Sequence, residues 1–183
     1  MQRLTPVEFP VLLKALRFVI QSPACVRFMA KPEASEPYTR RNSLRLSGFD
    51  YAAKRLYFVT FVTLERRKLF LEPNLAKATL DCLSELRTKM SFAVYSYCLM
   101  PDHFHGRFGL CDSGKTLGEI CGAFKSLSTR EYWRGYEGKL WQRQFFDHII
   151  RNDTDLAETL QYIELNPARD GLLDWPYVGH MDV

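Results

Sequence analysis

The stretch Met100–Leu110, "MPDHFHGRFGL", constrains the fold more than any other part of the chain. On a β-strand, successive side chains point to opposite faces, so His103 and His105 share one face. Phe104 points to the other face, which continues along the strand with Gly106, Phe108 and Leu110. The pattern predicts a strand that packs its Phe104 side into the core and presents its histidine side elsewhere.

Two imidazoles held on a rigid strand are suitable ligands for a divalent metal ion. The alternative is a pair of surface histidines on a half-exposed strand, because three-residue patterns often arise by chance. Taken alone, the pattern of His103 and His105 favours that alternative. The choice therefore depends on the rest of the chain.

Two strands and one helix are predicted before this stretch. Leu56–Leu64 is rich in aromatic and β-branched residues, which predicts a central strand. Pro73–Met90 repeats apolar residues at helical spacing behind a proline, which predicts a helix. Phe92–Met100 predicts a strand that pairs antiparallel with the histidine strand through a tight turn at Pro101–Asp102.

Further elements follow it. Thr116 and Glu119 form a capping box that begins a second helix. Leu140–Ile150, "LWQRQFFDHII", predicts another strand from its aromatic residues, and a last helix follows. The order strand, helix, strand, strand, helix, strand, helix predicts an α+β fold, with helices packed on a ferredoxin-like antiparallel sheet.

The last helix is predicted to take its capping residues from 152–154 and to end at Pro167. Its expected buried stripe consists of Leu156, Leu160 and Ile163. Tyr162 and Asn166 are four residues apart and share a face at the polar edge of that stripe. Asn166 precedes proline and is therefore expected in a loosened last turn. For Tyr162 alone, a half-buried packing role is the alternative.

Charge is distributed unevenly. Residues 1–68 contain 13 Lys and Arg against 5 Asp and Glu, a net charge of +8, whereas the remainder contains 12 against 16, a net charge of −4. A basic first third indicates a polyanionic partner such as nucleic acid, and a solvated charged face is the alternative. The domains are accordingly predicted as an N-terminal extension and basic arm at 1–42, a main domain at 43–175 and a C-terminal tail at 176–183.

Composition excludes some classes of protein. The 183-residue chain is 46% hydrophobic and 25% charged, as expected of a globular protein. It has no run of 18 apolar residues, so no membrane span is expected. Five cysteines without a C-x-x-C pair indicate reduced thiols and a cytoplasmic location.

Four motifs occur in order: "MPDHFHG", "GAFKSLSTR", "LWQRQFFDHIIRN" and "YIELNPAR". The opening "RRNSLRLSGFDYAAKRLYFVTFVTLERRKLF" precedes them. Together they resemble the HUH-type single-tyrosine transposases, in particular the REP-associated tyrosine transposase branch, over about residues 40–173. The resemblance implies a fold of the HUH-endonuclease type.

The resemblance also implies a site. In that family, two histidines on a central strand and a polar residue one turn after a tyrosine bind a divalent metal ion, and the tyrosine is the nucleophile. His103, His105 and Asn166 match the ligands of Mg²⁺ or Mn²⁺, and Tyr162 matches the nucleophile. Asp102 stands where the family commonly has asparagine, and is expected to orient a histidine or to tighten metal binding.

The implied function is metal-dependent cleavage and strand transfer of single-stranded or hairpin DNA through a 5′-phosphotyrosine intermediate. Some relatives exchange the tyrosine helix between two chains, so a homodimer is one possible assembly of this chain. Basic residues expected to follow the DNA backbone, with a solvated face as the alternative for each, are Arg40, Arg41, Arg45, Lys125, Arg130 and Arg134.

Two other functions stay open. The chain would be a domesticated, non-cleaving DNA-hairpin-binding protein if cleavage has been lost, and the intact set of site residues argues against this. Alternatively, the histidines belong to an unrelated metal-dependent hydrolase that uses activated water, with Tyr162 merely packing. That class needs acidic ligands, and beyond Asp102 no suitable acidic motif stands out.

Overall fold

A computed structural model describes residues 55–182. The predicted extension and basic arm at 1–42, including Arg40 and Arg41, lie outside the described residues, as do Arg45 and the predicted domain start at 43. Within 55–182, no helix is long and apolar enough to cross a membrane.

The described strands form one antiparallel sheet. They are β1 (Leu56–Val62), β2 (Ala93–Met100), β3 (His103–Gly109), β4 (Phe146–Ile150) and β5 (Val178–Gly179). Their spatial order is β4–β1–β3–β2–β5. Strands β1 and β3 lie inside the sheet, which suits their apolar content, and the tight turn after Met100 makes β2 and β3 antiparallel neighbours. The predicted α+β fold with a ferredoxin-like sheet is confirmed.

The described helices cover both faces of the sheet. They are α1 (Pro73–Met90), α2 (Leu117–Tyr132) and α3 (Asp153–Arg169). Buried side chains of α1 and α2, among them Leu83 and Phe124, share a core cluster with Phe104. On the other face, Ile163 of α3 packs with Phe58 and other residues of the sheet. The sheet therefore separates an aromatic core from the face that carries the histidines.

Aromatic packing fixes the orientation of β3. Phe61 of β1 lies 5.4–6.0 Å, centroid to centroid, from the rings of Phe104, Phe124, Trp141 and Phe145. A Cβ atom at Gly106 would lie 2.7 Å from the ring of Phe108 and 2.8 Å from that of Phe104, so glycine is required between these two rings. The core face predicted for the histidine strand is confirmed.

The predicted helix starts are confirmed. Thr116 Oγ1 accepts a hydrogen bond from the Glu119 N–H, and the Glu119 carboxylate accepts one from the Thr116 N–H. At the start of α3, Asn152 Oδ1 accepts a hydrogen bond from the Asp155 N–H. Each cap satisfies backbone donors that the helix leaves unpaired and contributes about 1 kcal/mol.

The prediction of one strand over Leu140–Ile150 is wrong for its first half. Only Phe146–Ile150 forms a strand, and before it Trp141 makes a single bridge to Thr63. The aromatic residues that indicated a strand serve the core instead, since Trp141 and Phe145 pack on Phe61.

The solvated face that is the alternative for Lys125 is not found, because this side chain is half-buried. Its ammonium donates hydrogen bonds to the carbonyl oxygens of Gln142 and Arg143, at 2.6 and 2.9 Å. Burial lowers the pKa of Lys125. The lysine thereby satisfies carbonyls in the irregular segment before β4. Arg130 and Arg134 are exposed as expected.

The predicted end of the last helix at Pro167 is also wrong. Helix α3 passes through Pro167 and ends at Arg169. Proline removes one helical N–H donor and disfavours helical geometry at the residue before it, but only two residues of the helix follow Pro167. Here the Leu172 N–H donates to the Pro167 oxygen.

The buried side of α3 is rotated from the predicted stripe. Ile163 is buried as expected, but Leu156 and Leu160 are half-buried, and Thr159 and Asn166 are buried in their place. Thr159 tolerates burial because its hydroxyl donates to carbonyls of the preceding turn. Asn166 is thus buried as part of a regular helix instead of lying in a loosened turn.

Residues 176–182, in the predicted C-terminal tail, extend the sheet. Val178 and Gly179 form β5 on the outer edge of β2. The Asp182 carboxylate accepts a hydrogen bond from the Val94 N–H at 2.8 Å and forms an ion pair with Arg87. These contacts occupy backbone groups on an edge that would otherwise be open.

Candidate active site

His103, His105 and Tyr162 meet on the sheet face that α3 covers. The imidazole centroids are 4.6 Å apart, and the Tyr162 ring centroid lies 5.1 Å from that of His105. Strand β3 supplies the histidines at alternate positions, and α3 supplies the tyrosine. The prediction that the histidines share a face is confirmed, and the three rings meet within one chain.

Asp102 orients His103. The two side chains are 14% and 19% exposed, and His103 Nδ1 lies 2.5 Å from Asp102 Oδ1. With the proton on Nδ1, His103 donates to the carboxylate and keeps a lone pair on Nε2. Burial raises the pKa of Asp102, but the hydrogen bond from His103 and the charges of His103 and Arg66 outweigh it, so the pKa is lowered.

Thr60 holds His105. The residues are partners across β1 and β3, and Thr60 Oγ1 lies 2.8 Å from His105 Nδ1. His105 Nε2 is buried and has no hydrogen-bond partner among the described residues. Burial holds the pKa of His105 well below its usual value, and the charges of His103, Arg169 and Arg66 lower it further. A neutral imidazole with an unused nitrogen is suited to bind a metal ion.

Tyr162 is half-buried among aromatic and basic groups. Its ring stands edge-on to Phe58, with centroids 5.8 Å apart, while Phe58 stacks on His105 at 5.3 Å. The Arg169 guanidinium carbon lies 5.1 Å from the centre of the Tyr162 ring. The phenol is therefore held by packing beside a positive charge, next to the histidine pair.

Asn166 is the remaining predicted ligand. It lies one turn after Tyr162 on α3 and is 7% exposed. Among residues 55–182, no three His, Cys, Asp or Glu side chains are grouped to hold a metal ion. A divalent ion at the histidine pair would therefore need another kind of donor, and a buried amide oxygen fits that need.

The described basic residues named as DNA contacts lie elsewhere. Lys125, Arg130 and Arg134 belong to or follow α2, which packs on the face opposite the histidines. Arg134 forms an ion pair with Glu131 at 3.0 Å. A role for these residues in DNA binding stays a prediction.

Three polar neighbours of the site were missed in the sequence: Thr60, Arg66 and Arg169. Arg169 follows Tyr162 by seven residues, or two helical turns, so helical spacing alone would have placed them on one side. Thr60 and Arg66 have no such signal, because they reach the site through strand pairing and a loop contact to Asp102.

Thr60→Val should weaken metal binding by about 10–100-fold, the usual cost of removing a group that orients a metal ligand. Valine keeps the branched shape but lacks the oxygen beside His105 Nδ1. Titration calorimetry with Mn²⁺ measures the change, and Thr60→Ser, which keeps the hydroxyl, is the matched control. Unchanged Mn²⁺ affinity in Thr60→Val would mean that the hydrogen bond does not orient His105.

Comparison with known proteins identifies the family. The family described as "Transposase IS200 like" matches residues 52–166, more than half of the chain. The chain belongs to the IS200-like transposase family. The matched segment spans β1 to Asn166 and includes both histidines and Tyr162.

The chain is 30% identical, over 157 residues, to a Haemophilus influenzae protein assigned as a REP-associated tyrosine transposase, covering 73% of this chain and 85% of that one. It is 28% identical over 97 residues to a REP-associated tyrosine transposase of Escherichia coli, covering 50% and 57%. The solved structure of a REP-associated tyrosine transposase bound to a REP hairpin has a TM-score of 0.62 at 20% identity, covering 78% and 82%. The resemblance and the HUH-type fold inferred from the sequence are confirmed.

Proposed function

We propose that this IS200-like transposase is a divalent metal-dependent endonuclease and strand transferase. It acts on single-stranded DNA at hairpins and forms a 5′-phosphotyrosine intermediate. The observation that carries the proposal is the contact of the Tyr162 ring with His105, beside His103, within one chain. Because these groups meet in one chain, the proposed chemistry does not require exchange of α3 between two copies.

In this proposal, His103 and His105 each offer Nε2 and Asn166 offers its amide oxygen to Mg²⁺ or Mn²⁺. A bound divalent ion would polarise the phosphate and offset the negative charge that develops on it. Hydrogen bonds at Nδ1, to Asp102 and to Thr60, set the tautomer and the direction of each imidazole.

The Tyr162 oxygen attacks phosphorus, and the bond from phosphorus to the 3′ oxygen of the neighbouring nucleotide breaks. The phenol loses its proton, and the departing 3′ oxygen gains one. The 5′ phosphate remains as an ester of Tyr162. Since this ester retains the energy of the broken bond, attack by a 3′ hydroxyl rejoins DNA without a nucleotide cofactor.

Arg169 is proposed to stabilise this reaction, because its positive charge lies beside the Tyr162 ring. Tyrosine has an ordinary pKa near 10, so a neighbouring cation favours loss of the phenol proton.

Arg169→Gln should reduce cleavage by about 100-fold, as expected for loss of one electrostatic stabiliser, and change hairpin affinity little. Single-turnover cleavage measures this. Arg169→Lys should recover part of the rate, and Arg151→Gln, at an exposed arginine before α3, should leave it unchanged.

Hairpin DNA is proposed as the partner because a solved relative of this fold is described as bound to a REP hairpin. The net charge of +8 in residues 1–68 supports a polyanionic partner. Binding should weaken steeply with salt, since phosphate contacts release counterions. A cytoplasmic site of action agrees with the absence of disulfides among the described cysteines, which are Cys82, Cys98, Cys111 and Cys121.

The test of the proposed function is adduct formation by the wild-type protein. The protein is incubated with labelled hairpins that carry unpaired flanks, in Mg²⁺ or Mn²⁺, and separated under denaturing conditions. A metal-dependent adduct that survives denaturation is the expected result. Tight, salt-dependent binding without any adduct would instead indicate the non-cleaving hairpin-binding protein, and equal affinity for blunt duplex would contradict the hairpin preference.

A further inference from the structure

A cleft lies on the flank of α3 that points away from Tyr162. It is an open cleft of about 680 Å³, and its lining includes Arg55, Tyr95, Arg107, Asp153, Leu156 and Leu160. Leu160 and Tyr162 are about 200° apart around the helix axis. The cleft is therefore separated from the candidate active site by α3 itself, although Arg107 follows His105 on the same face of β3.

Arg107 is the most unusual residue of the cleft. It is only 7% exposed, yet among residues 55–182 no carboxylate lies within ion-pair distance of it. Its Nε donates to Ser96 Oγ at 2.8 Å and its Nη1 to the Leu156 carbonyl at 3.4 Å. These neutral partners hold the guanidinium in place without balancing its charge. Glu164 acts on this charge from beyond ion-pair distance, but burial lowers the pKa of Arg107 more than that carboxylate raises it. An anion in the cleft would offset the remaining cost of burying the charge.

Tyr95 forms part of the wall because of a bulge. The register of β2 shifts between Val94 and Ser96, and Tyr95 is left out of the pairing with β3. Its ring lies so close to the β3 backbone that a Cβ atom at Gly109 would be 2.8 Å from it. Bulges commonly redirect a side chain next to a functional site. The bulge here places a half-exposed aromatic ring in the cleft that contains Arg107.

We propose that this cleft binds one unpaired nucleotide of the DNA strand that flanks the hairpin. The proposal rests on the proposed function, because it assumes that the chain acts on DNA. The nucleotide's phosphate pairs with Arg107, with Arg55 at the same cleft, and its base packs against Tyr95 and Leu160. Base packing on aromatic rings together with phosphate contacts to arginine is how proteins commonly hold single strands.

The mixed charge of the cleft favours a nucleotide over a free inorganic anion. Asp153 lines the same cleft, and its carboxylate would repel a small anion free to approach it. A nucleotide places its phosphate at the arginines and can offer amino hydrogens of the base to Asp153. The apolar side chains of Leu156 and Leu160 suit the base but contribute nothing to a bare phosphate.

Ala157→Trp tests the proposal by filling the cleft from an exposed position, so that folding is preserved. Its matched control is Gln161→Trp, one turn later on α3 at an exposed residue outside the cleft. Fluorescence anisotropy compares a hairpin with an unpaired flank and the same hairpin without it. Ala157→Trp should weaken binding of the flanked hairpin about ten-fold or more and leave the unflanked hairpin unchanged. Arg107→Gln should likewise weaken binding of the flanked hairpin only. Gln161→Trp should leave the affinity for both hairpins unchanged.

Three results would overturn the proposal. Wild-type affinity of Ala157→Trp for the flanked hairpin would show that the cleft holds no nucleotide. An equal loss for both hairpins would assign the effect to the hairpin itself. If Arg107→Gln binds both hairpins like the wild type but melts at a lower temperature without DNA, Arg107 has a structural role and its charge is not used by DNA. A wild-type protein that binds neither hairpin would instead refute the proposed function, and this inference with it.

Discussion

Tyr162→Phe should abolish the covalent protein–DNA adduct while leaving the protein folded and able to bind hairpins. Phenylalanine has no oxygen with which to attack phosphorus, so no residual adduct is expected. The ring still packs on Phe58 and His105, since those contacts do not involve the hydroxyl. Loss of the hydroxyl should lower the free energy of unfolding by no more than one hydrogen bond contributes, about 0.5–1.5 kcal/mol. Denaturing electrophoresis with labelled hairpin DNA measures the adduct, and urea unfolding measures the stability.

The matched control is Tyr97→Phe. Tyr97 is also half-buried, but it packs against the aromatic core on the opposite face of the sheet. Removal of its hydroxyl should leave adduct formation at the wild-type level. Comparable adduct from wild type and Tyr162→Phe would mean that another residue is the nucleophile. Loss of adduct from both variants would point to a general defect in the protein.

His103→Ala should remove most of the divalent-metal binding and, with it, cleavage. The affinity for Mn²⁺ should fall by more than the 10–100-fold that loss of an orienting neighbour costs, because a ligand itself is lost. Cleavage should return in part at high Mn²⁺, since the variant retains His105, Asn166 and Tyr162. Hairpin affinity measured without metal should be unchanged. Titration calorimetry with Mn²⁺ and single-turnover cleavage over a range of Mn²⁺ concentrations provide the two measurements.

His180→Ala is the control for this experiment. His180 is exposed, and its ring contacts the Tyr95 carbonyl and Glu164, away from the histidine pair. It should bind Mn²⁺ and cleave DNA like the wild type. Wild-type Mn²⁺ affinity in His103→Ala would refute the proposed ligand set. Cleavage by His103→Ala that is weak at every Mn²⁺ concentration, with metal affinity intact, would assign His103 a role other than binding the ion.

Local sequence patterns were sufficient for the framework of this protein. Alternation along β3 assigned His103 and His105 to one face because side chains on a strand repeat every two residues. Helical spacing placed Asn166 one turn after Tyr162, and capping residues located the starts of α2 and α3. Each of these inferences concerns neighbours in the chain, where backbone geometry alone decides which side chains lie together.

Other features depended on contacts between distant segments. Helix α3 buries Thr159 and Asn166 and leaves Leu160 half-buried, which the apolar spacing did not indicate. The pairing of β1 with β3 brought Thr60 to His105 across 45 residues, and the irregular segment before β4 drew Lys125 away from solvent. The sequence by itself therefore determined the three helices, strands β1 to β3 and the face that carries the histidines. Only the tertiary structure decided what orients them, because strand register and helix packing join residues that no local pattern relates.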